Sequence, residues 1–228
     1  MKNIALILAG GVGKRAGIAF PKQFVAIKNK PLIVYTLEKF EQCTAVDAIC
    51  VVTHRDWIDE VKTYSTKYKI TKLQNVVTGG STGLHSLKNG IDEISQKETD
   101  ALILIHDAVR PFVTEKIIVE NIKVAEEHGV AVTSIPCLET LIKIDCGKKY
   151  SNESVPRDGL MRVMTPQTFR LQVLKQILSS ENLDDCIYPS FFALYMSKGF
   201  PIFISYGSEK NIKITYPEDI DYLKSLFI

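Results

Sequence analysis

The run Ile4-Ala5-Leu6-Ile7-Leu8-Ala9-Gly10-Gly11-Val12-Gly13-Lys14-Arg15 joins an apolar segment directly to a glycine-rich loop that ends in two cations. The uninterrupted apolar residues predict a buried strand of a parallel sheet. Glycines let the backbone approach a ligand closely and turn its N–H groups toward an anion, and Lys14 and Arg15 add positive charge. The stretch therefore predicts an α/β fold with an anion site after the first strand.

The same pattern continues along the chain, where apolar runs alternate with amphipathic segments. This alternation predicts a mostly parallel, twisted sheet with helices on both faces. Further strands are predicted at 48–53, 75–78, 101–106, 130–136 and 202–206, and helices at 31–40, 55–68, 81–94, 114–128 and from 216 onward. The polar segment 138–163 has no helical stripe and is predicted to protrude as a β-arm. We expect a single domain over 1–228.

Composition narrows the class of protein. The 228 residues include 28 basic and 26 acidic side chains, and a net charge of +2 provides no field for wrapping nucleic acid. No apolar run approaches the roughly 20 residues that span a bilayer. The N-terminal apolar stretch meets a charged loop instead of a signal-peptide cleavage site. Five scattered cysteines form no CxxC pair, so we expect a cytoplasmic protein without a membrane or nucleic-acid partner.

The glycine loop allows three interpretations. It is not a Walker A loop, which would need glycine at Leu8 and a hydroxyl at Arg15. Gly11-x-Gly13-x-x-Ala16 fits the dinucleotide fingerprint, although the second strand ends in Val52-Thr53-His54 without the acid that would hold a ribose. An NAD(P)-dependent oxidoreductase and a plain glycine turn with solvated cations stay open as alternatives.

The third interpretation comes from Pro21-Lys22-Gln23-Phe24, which brings a second lysine soon after the loop. Pyrophosphoryl chemistry on a nucleoside triphosphate depends mainly on positioning and on neutralising charge, and a lysine there serves both. Asp107 follows the predicted strand 101–106, at the sheet edge where α/β proteins bind ligands. A carboxylate beside polyphosphate suits Mg²⁺. The alternative is that Asp107 caps a turn and pairs with Arg110.

Several blocks together resemble the cytidylyltransferases that make CDP-methylerythritol in isoprenoid synthesis and CDP-ribitol in wall or capsule synthesis. The resemblance runs nearly end to end and is carried by residues 8–15, 21–24, 79–80 with Ser86, 106–112, 165–169 and 207–215. It implies a Rossmann-like nucleotidyltransferase fold, CTP as co-substrate, a small phosphorylated polyol as acceptor, dependence on Mg²⁺, and a homodimer built through the arm at 138–163.

The resemblance also implies roles for individual residues. Arg15, Lys22 and Lys213 are expected to stabilise charge during catalysis, and Asp107 to hold the metal. The residues expected to bind the substrates are Ala9, Gly10, Gly11, Gly13, Gly79, Gly80, Ser86, Arg157 and Thr165. Arg157 would grip the acceptor phosphate, in the partner subunit's cleft if the arm crosses over.

Simpler structural roles remain open for some of these residues. Ser81 or Thr82 could merely cap a helix after the glycine pair. Lys213 could point to water from an ordinary strand, and Arg157 could lie exposed on a polar loop. Arg110 is expected to brace the site.

The sequence departs from the family's pattern on the acceptor side. Tyr188-Pro189 stands where the family carries a Thr-Asp pair, Gly83 replaces a usual arginine, and Glu139-Thr140 stands for Asp-Thr. The Thr-Asp pair belongs to the acceptor pocket, so these departures leave the CTP half intact and the acceptor open. A non-catalytic CTP-binding relative, or an enzyme that uses another donor such as UTP, are further alternatives.

Overall fold

The computed structural model describes residues 1–11, 20–145 and 147–225. Its central sheet has seven strands in the order β11-β7-β10-β6-β1-β4-β5. The strands are β1 (Lys2–Ala9), β2 (Ala26–Ile27), β3 (Lys30–Pro31), β4 (Ala48–Thr53), β5 (Leu73–Thr78), β6 (Ala101–Asp107), β7 (Val130–Pro136), β8 (Leu141–Lys143), β9 (Glu153–Val155), β10 (Met161–Arg170) and β11 (Ile204–Tyr206). The helices are α1 (Leu32–Gln42), α2 (Ile58–Lys67), α3 (Gly83–Ile94), α4 (Glu115–His128), α5 (Leu171–Ser180), α6 (Phe191–Ser197) and α7 (Pro217–Ser225).

Strand β1 is the middle of the parallel part of the sheet. It pairs in parallel with β4 on one side and β6 on the other, and β4 pairs in parallel with β5. Parallel pairing brings the carboxyl ends of these strands to one edge, and the register sets Leu8 of β1 opposite Asp107 of β6. The first residues of the glycine loop, Gly10 and Gly11, therefore follow β1 beside the end of β6 that carries Asp107.

Helices cover both faces of the sheet because successive side chains of a strand point to opposite sides. Ala5 and Ile7 of β1 lie in a core cluster with residues of α1 and α4. Ile4 and Leu6 lie in a second cluster with residues of α3 and α5. A Cβ on Gly90 of α3 would come within 2.7 Å of Leu6 Cδ1, so glycine is what lets α3 pack this closely.

Most predicted elements are present with shifted ends. The helix predicted at 31–40 begins after Pro31 and runs to Gln42, and the one predicted at 55–68 is a 3-10 turn at Arg55–Trp57 followed by α2. Helix α4 is N-capped by Thr114, whose side chain accepts a hydrogen bond from the Ile117 N–H, and C-capped by Gly129 with φ of +80°.

The predicted arm at 138–163 is too long. In the described part of that segment, β8 and β9 pair as a two-stranded hairpin apart from the central sheet. Strand β10 already begins at Met161 and enters the central sheet between β6 and β7. Strand β10 is not predicted from the sequence because Pro166 interrupts it and the pairing with β7 shifts between Val163 and Gln167. Helices α5 and α6 were likewise not predicted. No helix of the described ranges is long and apolar enough to cross a membrane.

Candidate active site

A cleft of about 730 Å³ opens at the carboxyl edge of the parallel strands. Its wall includes the end of β1 with Ala9, Gly10 and Gly11, and both Lys22 and Lys213 line it together with Asp107. The structure thus brings together residues from three distant parts of the sequence. Among the described residues lining the cleft, Asp107 is the one carboxylate.

Asp107 is clamped between two cations. Arg110 Nε donates to Asp107 Oδ2 at 2.9 Å, and Lys213 Nζ lies 2.9 Å from Asp107 Oδ1. Burial acts to raise the pKa of Asp107, but Lys213 and Arg110 outweigh it and hold that pKa below its ordinary value. The pairing with Arg110 that the sequence left open is therefore present, and Lys213 adds to it. Arg110 also donates to the Asn211 carbonyl at 2.8 Å, which braces the segment that carries Lys213.

The single carboxylate of Asp107 fits a metal ion whose other ligands come mainly from a nucleotide. Within 1–11, 20–145 and 147–225, no group of three or more His, Cys, Asp or Glu side chains forms a ready cage. Mg²⁺ is commonly bound by one or two carboxylates together with substrate phosphates, and one cleft carboxylate meets that requirement. Lys213 would have to release Oδ1 for a metal to bind there.

Gln23 holds the backbone at the end of β1, from Ala9 to Gly11, and has no assigned role in the sequence-based predictions. Its buried side-chain amide donates to the Ala9 carbonyl at 2.6 Å and to the Gly11 carbonyl at 3.1 Å. Next to it, Lys22 Nζ donates to the Thr215 carbonyl at 3.4 Å. Gly13 and Arg15, which the sequence assigns to the phosphate site, lie outside the described residues.

The second glycine pair lies at the junction of β5 and α3. Ser86 Oγ accepts a hydrogen bond from the Gly80 N–H at 3.0 Å, and a Cβ on Gly79 would sit 3.1 Å from that same oxygen. Gly80 and Ser86 line the cleft, whereas Gly79 supports them from behind. Thr82 caps α3 by accepting from the His85 N–H at 3.2 Å. The helix cap at Thr82 and the cleft-lining residues Gly80 and Ser86 therefore occur in the same segment.

Thr165 joins the cleft from β10. Its hydroxyl lies 2.9 Å from His106 Nδ1 and accepts from the Asp107 N–H at 3.2 Å. His106 is fully buried near the end of β6, and burial lowers its pKa to about 4. Asn211 holds Thr165 from the other side, since its Nδ2 donates to the Thr165 carbonyl at 2.8 Å.

Two predicted site residues, Lys213 and Arg157, lie in surroundings that differ from those of the other site residues. Lys213 is not in a strand, although the Ile214 N–H donates to the Val109 carbonyl at 2.9 Å and so fixes its backbone. Arg157 is exposed, donates to the Leu138 carbonyl at 2.7 Å, and is not among the residues lining the cleft of its own chain.

The region that departs from the family's pattern faces the same cleft. Pro189, Ser190 and Phe192 line its wall, and the Ser190 hydroxyl is buried without a hydrogen-bond partner. Gly83 also lines the cleft, and a Cβ built there would meet no atom within 4 Å. Gly83 and Pro189 therefore change the wall of the site, whereas Tyr188 and Glu139-Thr140 are not among the residues that line it.

The sheet is largely parallel, and glycine backbone, lysines and one carboxylate lie together at its carboxyl edge. This arrangement defines a nucleotide-binding protein. The family model described as 2-C-methyl-D-erythritol 4-phosphate cytidylyltransferase matches residues 3–226. The chain belongs to this family of nucleotidyltransferases.

Similar proteins agree with this membership. The ribitol-5-phosphate cytidylyltransferase of Lacticaseibacillus paracasei is 36% identical over 227 residues, covering 97% of this chain and 96% of the relative. The 2-C-methyl-D-erythritol 4-phosphate cytidylyltransferase of Clostridium botulinum is also 36% identical, with 96% and 94% covered. These relatives differ in the acceptor that their names give.

Solved structures share the fold. The 2-C-methyl-D-erythritol 4-phosphate cytidylyltransferase of Francisella tularensis has a TM-score of 0.79 at 26% identity, with 99% of each chain covered. The 4-diphosphocytidyl-2C-methyl-D-erythritol synthase of Anaerococcus prevotii has a TM-score of 0.83 at 23% identity, with 99% of this chain and 96% of that chain covered. The Rossmann-like nucleotidyltransferase fold is confirmed, and the NAD(P) alternative is wrong.

The clamp on Asp107 predicts a pH-dependent contribution to stability. The pKa of Asp107 in the folded protein lies below its ordinary value of 3.8. The ionised carboxylate therefore stabilises the fold above that ordinary value, and this stabilisation is lost as the pH falls through the folded pKa. We expect Asp107→Asn to lower the free energy of unfolding by about 1 to 3 kcal/mol at neutral pH. Urea titrations should show the difference constant above about pH 5 and shrinking below about pH 4.

Asp92→Asn is the matched control, because Asp92 pairs with Lys88 on the exposed surface of α3. Its effect should stay within about 0.5 kcal/mol at every pH. Equal effects of the two substitutions, or a difference for Asp107→Asn that persists unchanged in acid, would contradict the clamp.

Proposed function

We propose that this protein transfers CMP from CTP to a phosphorylated polyol and releases pyrophosphate. The observation that carries the proposal is the cleft in which Lys22, Lys213 and Asp107 meet the backbone of the glycine loop. The names of the similar proteins, which act on ribitol 5-phosphate or 2-C-methyl-D-erythritol 4-phosphate, supply the acceptor class.

The reaction is an in-line attack by a phosphate oxygen of the acceptor on the α-phosphorus of CTP. The attacking phosphate is already ionised, so no general base is needed and pyrophosphate leaves directly. Negative charge grows on the α-phosphate in the transition state, and preorganised cations stabilise it. Lys22, Arg15 and Lys213 have this role. Asp107 would hold Mg²⁺, whose charge neutralises phosphate oxygens of the nucleotide.

The two glycine segments divide the nucleotide between them. We assign the phosphates to the backbone N–H groups of 9–11 and to Gly13, since glycines allow the close approach that an anion needs. Gly80 and Ser86, in the wall of the cleft, contact the base or ribose, and Gly79 supports them from behind. Thr165 borders the acceptor, next to Asp107.

The acceptor side also needs a cation for the acceptor's own phosphate, and we assign this to Arg157 of a second subunit. The arm that carries Arg157 exposes apolar side chains, with Leu138 66% and Ile142 63% exposed, and Ile144 and Tyr150 are exposed as well. Exposed apolar groups in contiguous segments mark association surfaces. We therefore propose a two-fold homodimer in which the arm of one subunit packs on the other.

The remaining assignments complete the proposal. The chain is a single domain over 1–228, and it works in the cytoplasm. Cys43, Cys50, Cys137 and Cys186 are free thiols, which suits a reducing compartment. The net charge of +2 suits small anionic substrates bound locally and no nucleic-acid partner.

The acceptor can be identified by a direct assay of pyrophosphate release. Pyrophosphate release should be measured with CTP and a panel of ribitol 5-phosphate, 2-C-methyl-D-erythritol 4-phosphate, glycerol phosphate and other alditol or sugar phosphates, and with UTP in place of CTP. We expect a polyol phosphate to be used, and methylerythritol phosphate not to be the best one, because Tyr188-Pro189 removes a hydroxyl and a carboxylate from the wall. CTP binding without pyrophosphate release for any acceptor would favour a non-catalytic relative.

Lys22 should act on the transition state. We expect Lys22→Ala to lower kcat on the order of 100-fold or more, the usual effect of removing one preorganised charge donor. Steady-state kinetics separate this from ground-state binding, since a change confined to KM would mean that Lys22 only holds the nucleotide. Lys88→Ala, on the exposed surface of α3, is the control and should leave both constants unchanged.

The dimer can be tested through the arm. We expect the protein to be a dimer by light scattering, and Ile142→Glu to shift it toward monomer while lowering kcat/KM for the acceptor, because charge in an apolar interface is costly. Val119→Glu, on the exposed side of α4, is the control. A monomeric protein with full activity would contradict both the interface and the role of Arg157.

A further inference from the structure

Trp57 is the one tryptophan of the chain, and its ring lies against the segment that carries Lys22. The indole stacks on the Phe24 ring, with 4.2 Å between the ring centroids and 10° between the ring planes. The Phe20 ring packs edge-on against the same indole, at 4.9 Å and 89°. Phe20 and Phe24 stand two residues before and two residues after Lys22, so a single ring contacts both flanks of the cleft lysine.

Trp57 is itself held close to the sheet. Strand β4 ends at Thr53, and in the 3-10 turn that follows the Trp57 N–H donates to the His54 carbonyl at 2.9 Å. Phe24 is 3% exposed and belongs to the core cluster on this face of the sheet, and Trp57 packs against that cluster. An aromatic side chain has only two side-chain torsions, so the indole is a rigid surface for its neighbours.

The segment 20–24 needs such a surface because it lies outside the central sheet. Its backbone forms a single 3-10 turn, in which the Phe24 N–H donates to the Pro21 carbonyl at 2.9 Å and the Val25 N–H to the Lys22 carbonyl at 3.1 Å. A 3-10 turn is short and its hydrogen bonds have poor geometry. The place of the turn on the protein therefore depends on the side chains that pack on either end of it.

We propose that Trp57 is a positioning residue for Lys22, because it holds the two residues that flank this lysine and so fixes where the ammonium group enters the cleft. The inference rests on the proposed function, in which Lys22 stabilises the charge that grows on the α-phosphate. A preorganised charge acts through its exact place, and a shift of about 1 Å can cost on the order of 100-fold in rate. Trp57 does not line the cleft and acts through the turn alone.

The first test needs no substrate. Hydrogen exchange of the Phe24 and Val25 amides reports on the turn, since both of its hydrogen bonds open when the turn leaves its place. We expect Trp57→Ala to speed this exchange by about 10-fold and to leave the amides of β1 and β4 unchanged. An unchanged rate at the turn, or an equal increase throughout β1 and β4, would overturn the proposal.

The second test measures the coupling between Trp57 and Lys22. We expect Trp57→Ala to lower kcat for pyrophosphate release by about 10-fold at saturating CTP and acceptor, because the displaced ammonium stabilises the transition state less well. In a protein that already carries Lys22→Ala, the same substitution should have no further effect, because the group that it positions is gone. A decrease of the same size in both backgrounds would mean a purely structural role and would contradict the proposal.

Two further variants separate positioning from packing. Tyr64→Ala is the matched control, because Tyr64 of α2 packs on Phe24 at 6.4 Å between centroids, on the later flank of Lys22. Its effect on kcat should be the same with and without the lysine. Trp57→Phe keeps a flat ring and should restore kcat to within about 3-fold of the wild type, and a value as low as that of Trp57→Ala would count against the stack.

The test stays decisive if one variant or the reaction itself fails. Trp57→Leu keeps an apolar side chain over Phe24 without a ring for Phe20, and it takes the place of Trp57→Ala if that variant does not fold. If the wild-type protein releases no pyrophosphate with any acceptor, the proposed function fails. The exchange rates of the turn then still decide whether Trp57 holds the segment that carries Lys22.

Discussion

Cations gathered to bind a polyphosphate repel one another unless an anion lies among them, and Asp107 is that anion in this cleft. Its two carboxylate oxygens hold Arg110 and Lys213, each at 2.9 Å. Arg110 is further tied to the Asn211 carbonyl, so the segment before α7 is joined to the end of β6. The positions of the cations, and with them the shape of the site, depend on this carboxylate.

Close packing of α3 against the sheet is the second condition for the site. The space beside Gly90 is filled by Leu6 and Val52, so the helix lies nearer to β1 and β4 than a larger residue would allow. Its first turns then bring Ser86 next to Gly10, where a Cβ would lie 3.5 Å from the Ser86 hydroxyl. The glycine segments at 10–11 and 79–80 meet at Ser86 because α3, which carries Ser86, is packed so closely on the sheet.

The sequence predicted those parts of the molecule whose signal is local. Continuous apolar runs located β1, β4, β6 and β7, and the motif around Asp107 placed it at a strand end. The hydrogen bonds and ion pairs that complete the site join residues far apart in the chain, such as Asp107 with Lys213. The spacing of residues in the sequence does not predict contacts of this kind. Strand β10 was missed because a proline and an irregular register break its alternation, and Gln23 was missed because a buried glutamine has no pattern of its own.

The two halves of the cleft are built from different kinds of groups, and this explains why the sequence is informative about one and not the other. In the proposed function the nucleotide half uses backbone N–H groups, which depend on the path of the chain and therefore on glycines and their packing. In the same proposal the acceptor half is walled by the cleft-lining side chains at 189–192, where a single substitution changes the chemistry offered to a ligand. Donor chemistry can thus stay fixed while the acceptor changes, which agrees with one fold serving relatives named for different polyol phosphates. Thr165 and His106 lie outside that variable stretch, on β10 and β6, which pair in the central sheet.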